Sequence, residues 1–479
     1  MVVKMERTLS LLLGVSFLYL FASSLLIPIF PHLISASFEG DVANDSPETT
    51  QRYGTLSILK SSLDLLSLPL LGGLSDYLGR RGILMGCIFS ILVQILLVYP
   101  PGVGLFGVNN YYSALILSRV LGGVSDGVLV MIFASLTDLC DGDAAKLPVY
   151  YGKVGMVFGL AFTLGPMTAA TLYGKFNSIE YVLYLSTAGA GGACVICWFL
   201  PETLPASKRR VFGPKFYATG AFWLGLTPFD QIMYLTSSPL LVAYILTYFL
   251  HETSTAVYMS WILYFEWRFS WDITQVGMYI SVVGIVVGAF QGLLLRPLTA
   301  KLKSIYPSTF EDKLIIWPAL VSAVHFAIVG LVSSGWQMYP LLILTGIGSF
   351  MNPVMRGVVL RTQRPSKVGQ VNAIFSTVGV LSTIGGNVMY PNILRASEEG
   401  RANAGAVNFV SAAVMVMSFG CAVRAVRRYR PRDLGGGGGE KFIEKGGETR
   451  REGAKITDEG TLTYNLRDND GLDELRNAL

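Results

Sequence analysis

Histidine is scarce in this chain, with three in 479 residues, and cysteine is little commoner, with five. Charge is thin as well: Asp, Glu, Lys and Arg make up 14% of the residues, against roughly 25% in soluble domains. Each shortage excludes something. His32, His251 and His325 leave a metal-dependent membrane enzyme little to work with, so no metal is expected. Cys87, Cys194, Cys197 and Cys421 fall in apolar runs and Cys140 in a polar connection, which is no disulfide framework. The C-x-x-C of Cys194 and Cys197 lies on an apolar helix and reads as packing rather than redox or metal chemistry. No G-x-x-x-x-G-K-[ST] loop is present, which argues against ATP as an energy source. The first apolar run is too long for a cleavable signal and lacks a small-residue cleavage pattern, so it should remain as a helix.

What the chain has instead is apolar sequence, 52% of its residues, with a positive mean hydropathy. Windows of about 20 apolar residues can be laid down about twelve times, the first near 8–31 and the last near 404–424. The runs are continuous, not alternating, so the backbone must satisfy itself within helices and not in a barrel. The expected fold is an all-α integral membrane protein. Lys and Arg concentrate in alternate loops, at Arg80 and Arg81, Lys208 to Arg210, Arg361 to Lys367 and Arg424 to Arg432. That asymmetry puts both termini in the cytoplasm. The net charge of +5 then reads as membrane topology and attraction to anionic lipid, with no nucleic-acid partner.

The stretch FLPETLPASKRR opens the longest polar connection and divides the chain. The organisation read from this is an N-terminal six-helix half at 1–202, a cytoplasmic central loop at 203–237, a C-terminal six-helix half at 238–430 and a disordered cytoplasmic tail at 431–479. The tail is rich in glycine and charge, with almost nothing to bury. Asn44, Asp45 and Ser46 form a glycosylation sequon that this topology places in the first outer loop.

One connection is unusual. GGLSDYLGRRG, Gly72 to Gly82, sits between two apolar runs. Its glycines Gly72, Gly73 and Gly79 allow a tight turn and close helix approach. Asp76 stands at the inner end of the second helix, where a carboxylate can pair with Arg80 and Arg81 or with the positive end of a neighbouring helix. A positive-inside turn accounts for the two arginines, but not for Gly, Leu, Asp and Gly in fixed register.

That register resembles the signature loop between helices two and three of the major facilitator superfamily, matched at Gly72, Leu74, Ser75, Asp76, Gly79, Arg80 and Arg81. The fourth helix carries SRVLGGVSDG, where Arg119 and Gly123 match the family's R-x-x-x-G and Gly122 replaces a frequent glutamine. In the fifth helix Gly155, Gly159, Gly165 and Pro166 resemble the antiporter-type packing signature, with one extra residue in the glycine spacing and with Ala169 and Ala170 where two glycines are usual. LPET at 200–203 resembles the end of the sixth helix. The resemblance spans roughly residues 8–428 and is nearest to the drug-exporter and tetracycline-exporter-like branches. It implies twelve transmembrane helices in two pseudo-symmetric halves of six, and a secondary active transporter of a small organic solute working by alternating access. Proton-coupled export by a monomer, without a cofactor, is the expected activity, in a plasma or vacuolar and endomembrane setting. Asp76, Arg80 and Arg81 would then act as a conformational latch between the halves. A sugar or nutrient importer of the same fold, or a receptor that has kept it, stays open as an alternative. A decayed copy of the loop motif occupies GLLLRPLTAKLK, Gly292 to Lys303.

Charges inside apolar runs are costly and so mark the cavity and coupling candidates. Lys60 and Asp64 are four apart on one helix face and can neutralise each other. Arg119 and Asp126, seven apart, again share nearly one face, and Arg119 is the expected partner of Asp126. Glu252 interrupts the seventh helix beside His251 and is either a proton acceptor or a partnered acid. Gln291, Asn352, Asn372 and Asn387 serve either substrate or packing. The aromatics from Tyr244 to Tyr264 form either an interfacial belt or a surface on which a planar solute can stack.

Overall fold

The computed structural model describes residues 2–38, 46–104, 107–140, 146–209, 239–307, 309–361 and 368–429. The sequon at Asn44, most of the central connection and the tail from 431 lie outside these residues. Among the described residues the chain is helical, without strands.

Helix α1 (Val2–Leu25) is followed by the short α2 (Phe30–Ser35). Helix α3 (Pro47–Leu78) starts where Ser46, in extended conformation, accepts a hydrogen bond from the Thr49 N–H and Pro47 supplies a preset φ at the first position. It ends at Gly79, whose φ of +100° only glycine adopts readily; a Cβ there would also collide with the Glu202 carboxylate. Helix α4 (Arg80–Leu97) starts at once, so the turn is a single residue. Then come α5 (Val108–Ser125), α6 (Val128–Cys140), α7 (Lys146–Phe176) and α8 (Glu180–Trp198). The second set comprises α9 (Pro239–Thr255), α10 (Val257–Phe269), α11 (Ile273–Ala289), α12 (Leu295–Ile305), α13 (Phe310–Leu331), α14 (Met338–Gly348), α15 (Met351–Arg361), α16 (Val368–Glu398) and α17 (Ala406–Tyr429).

Ten stretches among the described residues are long and apolar enough to cross a membrane. The pair α9–α10 and helix α16 occupy the places of the other two expected crossings without meeting that measure. The expected seventh span is divided at Ala256 between α9 and α10, and further expected spans are broken as well. The fourth is interrupted at Asp126 and Gly127 between α5 and α6, and its counterpart in the second set at Ser349 and Phe350 between α14 and α15. Breaks of this kind survive in a membrane only where other groups take up the freed backbone atoms. Here Ser125 Oγ donates to the Leu121 carbonyl, which leaves it to accept from Ser90 Oγ. In the second set, Gln291 Nε2 donates to the Ser349 carbonyl at 3.1 Å, which gives Gln291 a packing role.

Helices α1 to α8 pack chiefly among themselves, as do α9 to α17, and two close pairs join the sets: α3 with α16, and α7 with α11. Both pairs are tightest away from the Gly79 turn. A Cβ on Gly277 of α11 would lie 2.7 Å from the Pro166 carbonyl of α7, and one on Gly54 of α3 2.9 Å from Pro391 of α16. At the same remote end Thr50 Oγ1 donates to Glu398 at 2.7 Å and Tyr53 OH to the Met259 carbonyl at 2.9 Å. Nearer the middle Asn387 Nδ2 donates to Ser61 Oγ at 3.2 Å. Toward the end that carries Arg80, hereafter the basic end, Gly155 and Gly159 of α7, like Gly288 and Gly292 opposite them, face open space. Of the expected packing signature, Gly165 and Pro166 are therefore in contact, against Ser24 and Gly277, and Gly155 and Gly159 are not. The two sets meet closely at the remote end, and α7 and α11 part toward the basic end.

Candidate substrate cavity

The fourth span breaks at Asp126. Asp126 ends α5 with a helical φ of −76° and a ψ of 44° that turns the chain after it, and its carboxylate is taken up by groups on other helices. The expected Arg119–Asp126 pair does not form. Asp126 Oδ2 instead lies 2.6 Å from Lys60 Nζ, while its Oδ1 accepts from Tyr19 OH at 2.7 Å. Lys60 also reaches Asp64 Oδ2, one helical turn on, at 3.0 Å, as the spacing suggests. One ammonium thus serves two carboxylates. The side chains of Lys60, Asp64 and Asp126 are 25%, 15% and 30% exposed, half-buried at membrane depth where unpaired charge is expensive.

Arg119 lies against the Phe30 ring, 3.8 Å from its centroid, and its buried Nε has no hydrogen-bond partner among the described residues. Counting Lys60, Arg119, Asp64 and Asp126, the group is neutral, yet both acids are held by Lys60 and the guanidinium is left to the cavity.

That cavity has a volume of about 400 Å³. Its two walls differ. From the first set come Tyr19, Lys60, Gln94, Arg119 and Asp126; from the second come Tyr258, Trp261, Phe265 and Tyr279. The aromatic wall is held in place: Trp261 Nε1 donates to Asn408 Oδ1 at 2.8 Å, and the Tyr258 and Trp261 rings meet edge to face at 4.8 Å. Tyr258 and Trp261 thus face the cavity, while Tyr244, Tyr248 and Tyr264 are packed inside the second set.

Glu252 does not line this cavity. Its Oε1 accepts from Asn352 Nδ2 at 2.7 Å, a neutral partner, and no cation forms an ion pair with it among the described residues. Beside it Arg356 Nη2 donates to Tyr248 OH at 2.7 Å. The side chain of Asn372 lies outside the described residues.

At the basic end Arg80 is a hub. It reaches Asp76 at 2.7 Å and Asp138 of α6 at 3.1 Å, and its N–H donates to Glu202 Oε1 at 2.9 Å. The Arg81 guanidinium donates to the Trp198 carbonyl, and Arg209 approaches Glu202 at 3.4 Å. All these partners belong to the first set of helices and the connection that follows it. At the remote end a contact joins the two sets: His32 of α2 stands 3.8 Å from Glu266 of α10. Burial lowers the His32 pKa to about 4, so the imidazole is neutral at pH 7.

Sequence reasoning passed over Tyr19, Asp138, Glu266 and Arg356. Glu266 and Arg356 carried a usable signal, a charge within an apolar or aromatic run. Tyr19 carried none, because one tyrosine in an apolar helix is ordinary.

Compared with known proteins, the chain matches the family model of the Major Facilitator Superfamily over residues 12–387. The class D tetracycline resistance protein of Salmonella ordonez is 24% identical over 381 residues, 78% of this chain and 86% of that relative. Major facilitator superfamily domain-containing protein 10 of mouse is 34% identical over 157 residues, 33% of this chain and 31% of that relative. Among solved structures, the human organic anion transporter MFSD10 (TETRAN) superposes with a TM-score of 0.65 at 21% identity, covering 87% of this chain and 99% of that one.

Proposed function

The chain belongs to the major facilitator superfamily, and on that premise we propose that it exports a small amphipathic organic solute in exchange for protons, with its basic end and both termini in the cytoplasm. It is a multi-pass membrane transporter and not an enzyme. The observation that carries the proposal is the two-walled cavity, charged on one side by Lys60, Arg119 and Asp126 and aromatic on the other through Tyr258, Trp261 and Tyr279. A planar apolar body stacks on the second wall while a polar or anionic group meets Arg119, whose guanidinium no carboxylate among the described residues holds. Tetracycline resistance proteins among the relatives support export, and an organic anion transporter among the structural neighbours supports the sign of the solute's charge.

Glu252 is the proposed proton site. Protonating Asp126 would break its contact with Lys60, whereas protonating Glu252 breaks no ion pair among the described residues. Asp76, Arg80 and Arg81 remain the proposed latch, with Asp138 and Glu202 as their partners in this state. In sealed inverted vesicles, an acid interior should drive accumulation of aromatic anions, and collapsing the gradient should abolish it. Accumulation indifferent to the gradient would sink the coupling, and accumulation from the opposite face alone would favour an importer.

A further inference from the structure

Arg356 matches no motif and does not line the cavity, yet it is built like Arg119. Each arginine sits on the fourth span of its set, and each of those spans is broken. Arg119 stacks on Phe30, and Arg356 on Tyr248 and Phe375, 5.4 Å from each centroid. The Nε of each is buried without a hydrogen-bond partner, and neither forms an ion pair among the described residues. Among the described residues Arg356 makes one bond, to Tyr248 OH, and the acid that feels its charge, Glu252, is turned to Asn352 instead.

Depth distinguishes the two. Both spans run from the remote end to the basic end. Arg119 lies about 17 Å of helix below the remote start of α5, and Arg356 about 8 Å above the basic end of α15. A solute entering where the helices part passes the level of Arg356 before that of Arg119.

We infer that Arg356, held by Tyr248, is a second binding subsite, which captures the anionic group of an organic solute at the basic end before the solute reaches Arg119. The inference rests on the reading of the central cavity as the transport site. A guanidinium has five N–H donors in a planar fork that matches a carboxylate or sulfonate. One bond leaves donors to spare, and the two rings fix the plane of the fork and keep water from part of it. Two guanidinium sites staggered along one path let an anion advance without being stranded between them.

The test uses the full-length chain in inverted and right-side-out vesicles, with fluorescein as a planar aromatic anion and rhodamine 123 as a cation of similar shape. Arg356→Gln should raise the half-saturation concentration for fluorescein about tenfold, equivalent to about 1.4 kcal/mol, when it is offered to the basic end. From the remote face the rise should stay below about twofold, and rhodamine 123 should not be weakened. Arg356→Lys should keep part of the affinity. Tyr248→Phe retains the charge but frees the fork, so it should shift fluorescein in the same direction on the same face, and it serves if Arg356→Gln does not fold. An equal shift from both faces, no shift, or recovery of affinity on adding Glu252→Gln would overturn the subsite. Arg119→Gln separates the two readings. If it transports fluorescein normally, the central-cavity reading falls; if it fails while Arg356→Gln is indifferent, the subsite alone falls. A wild-type protein that neither binds nor moves fluorescein overturns both.

Discussion

Removing the ammonium of Lys60 should destabilise the protein, and removing one of its carboxylates as well should restore most of what was lost. Lys60 lies 2.6 Å from Asp126 and 3.0 Å from Asp64, so Lys60→Gln leaves two acids at membrane depth with only Arg119 to offset them. Breaking a buried pair on one side costs about 3–5 kcal/mol, because the surviving charge stays buried. With 25% and 30% exposure at Lys60 and Asp126 the lower end applies, about 3 kcal/mol. In Lys60→Gln with Asp126→Asn the count returns to zero, Asp64 against Arg119, and Tyr19 can still donate to the amide oxygen at position 126. The assay is the temperature at which detergent-solubilised protein loses its monodisperse peak, which ranks variants without assuming two-state unfolding. The expected order is wild type, then the double variant, then Lys60→Gln. A Lys60→Gln protein as heat-resistant as wild type, or a double variant less resistant than the single, would refute the shared-cation geometry.

Other outcomes follow from the same geometry. Glu252→Gln should abolish accumulation driven by a pH gradient while downhill exchange of substrate continues, since Asn352 can still donate to the glutamine carbonyl; gradient-driven uptake with normal pH dependence would move the coupling acid to Asp64 or Asp126. Asp76→Asn should cut transport at least about tenfold, or about 1.4 kcal/mol, with membrane insertion near normal, and unchanged transport would dismiss the latch. His32 has a pKa of about 4 in the closed remote end against an ordinary 6.5, so the neutral imidazole favours closure above pH 6.5 and that preference fades as pH falls toward 4. At pH 5 the closed end should lose about 2 kcal/mol; the labelling rate of a cysteine at the remote end, divided by that of a permanently exposed cysteine to remove the thiolate's own pH dependence, should then be higher at pH 5 than at pH 7.5 in wild type, and the same at both in His32→Gln.

Composition and apolar run length by themselves determined that this is a helical membrane protein, because a bilayer accepts only backbones that bond within themselves. The Gly72 to Arg81 register carried the resemblance to the family that the family model bears out, and its Gly79 marked the turn, which needs a positive φ and leaves no room for a Cβ. The spacing of Lys60 and Asp64 placed those two together for a local reason: one helical turn separates them. Contacts that pass between helices were decided by the tertiary structure. Arg119 and Asp126 looked like partners on an unbroken helix, and the packing of α1 and α3 against α5 gave Asp126 to Lys60 and Tyr19 instead, sixty-six and one hundred and seven residues away. Arg356 acquired its aromatic seat, and Glu252 its amide, from spans far apart in the chain. Helical periodicity carries information over a turn or two; which face meets which neighbour is settled by packing all the helices at once, and that choice places the free guanidinium groups.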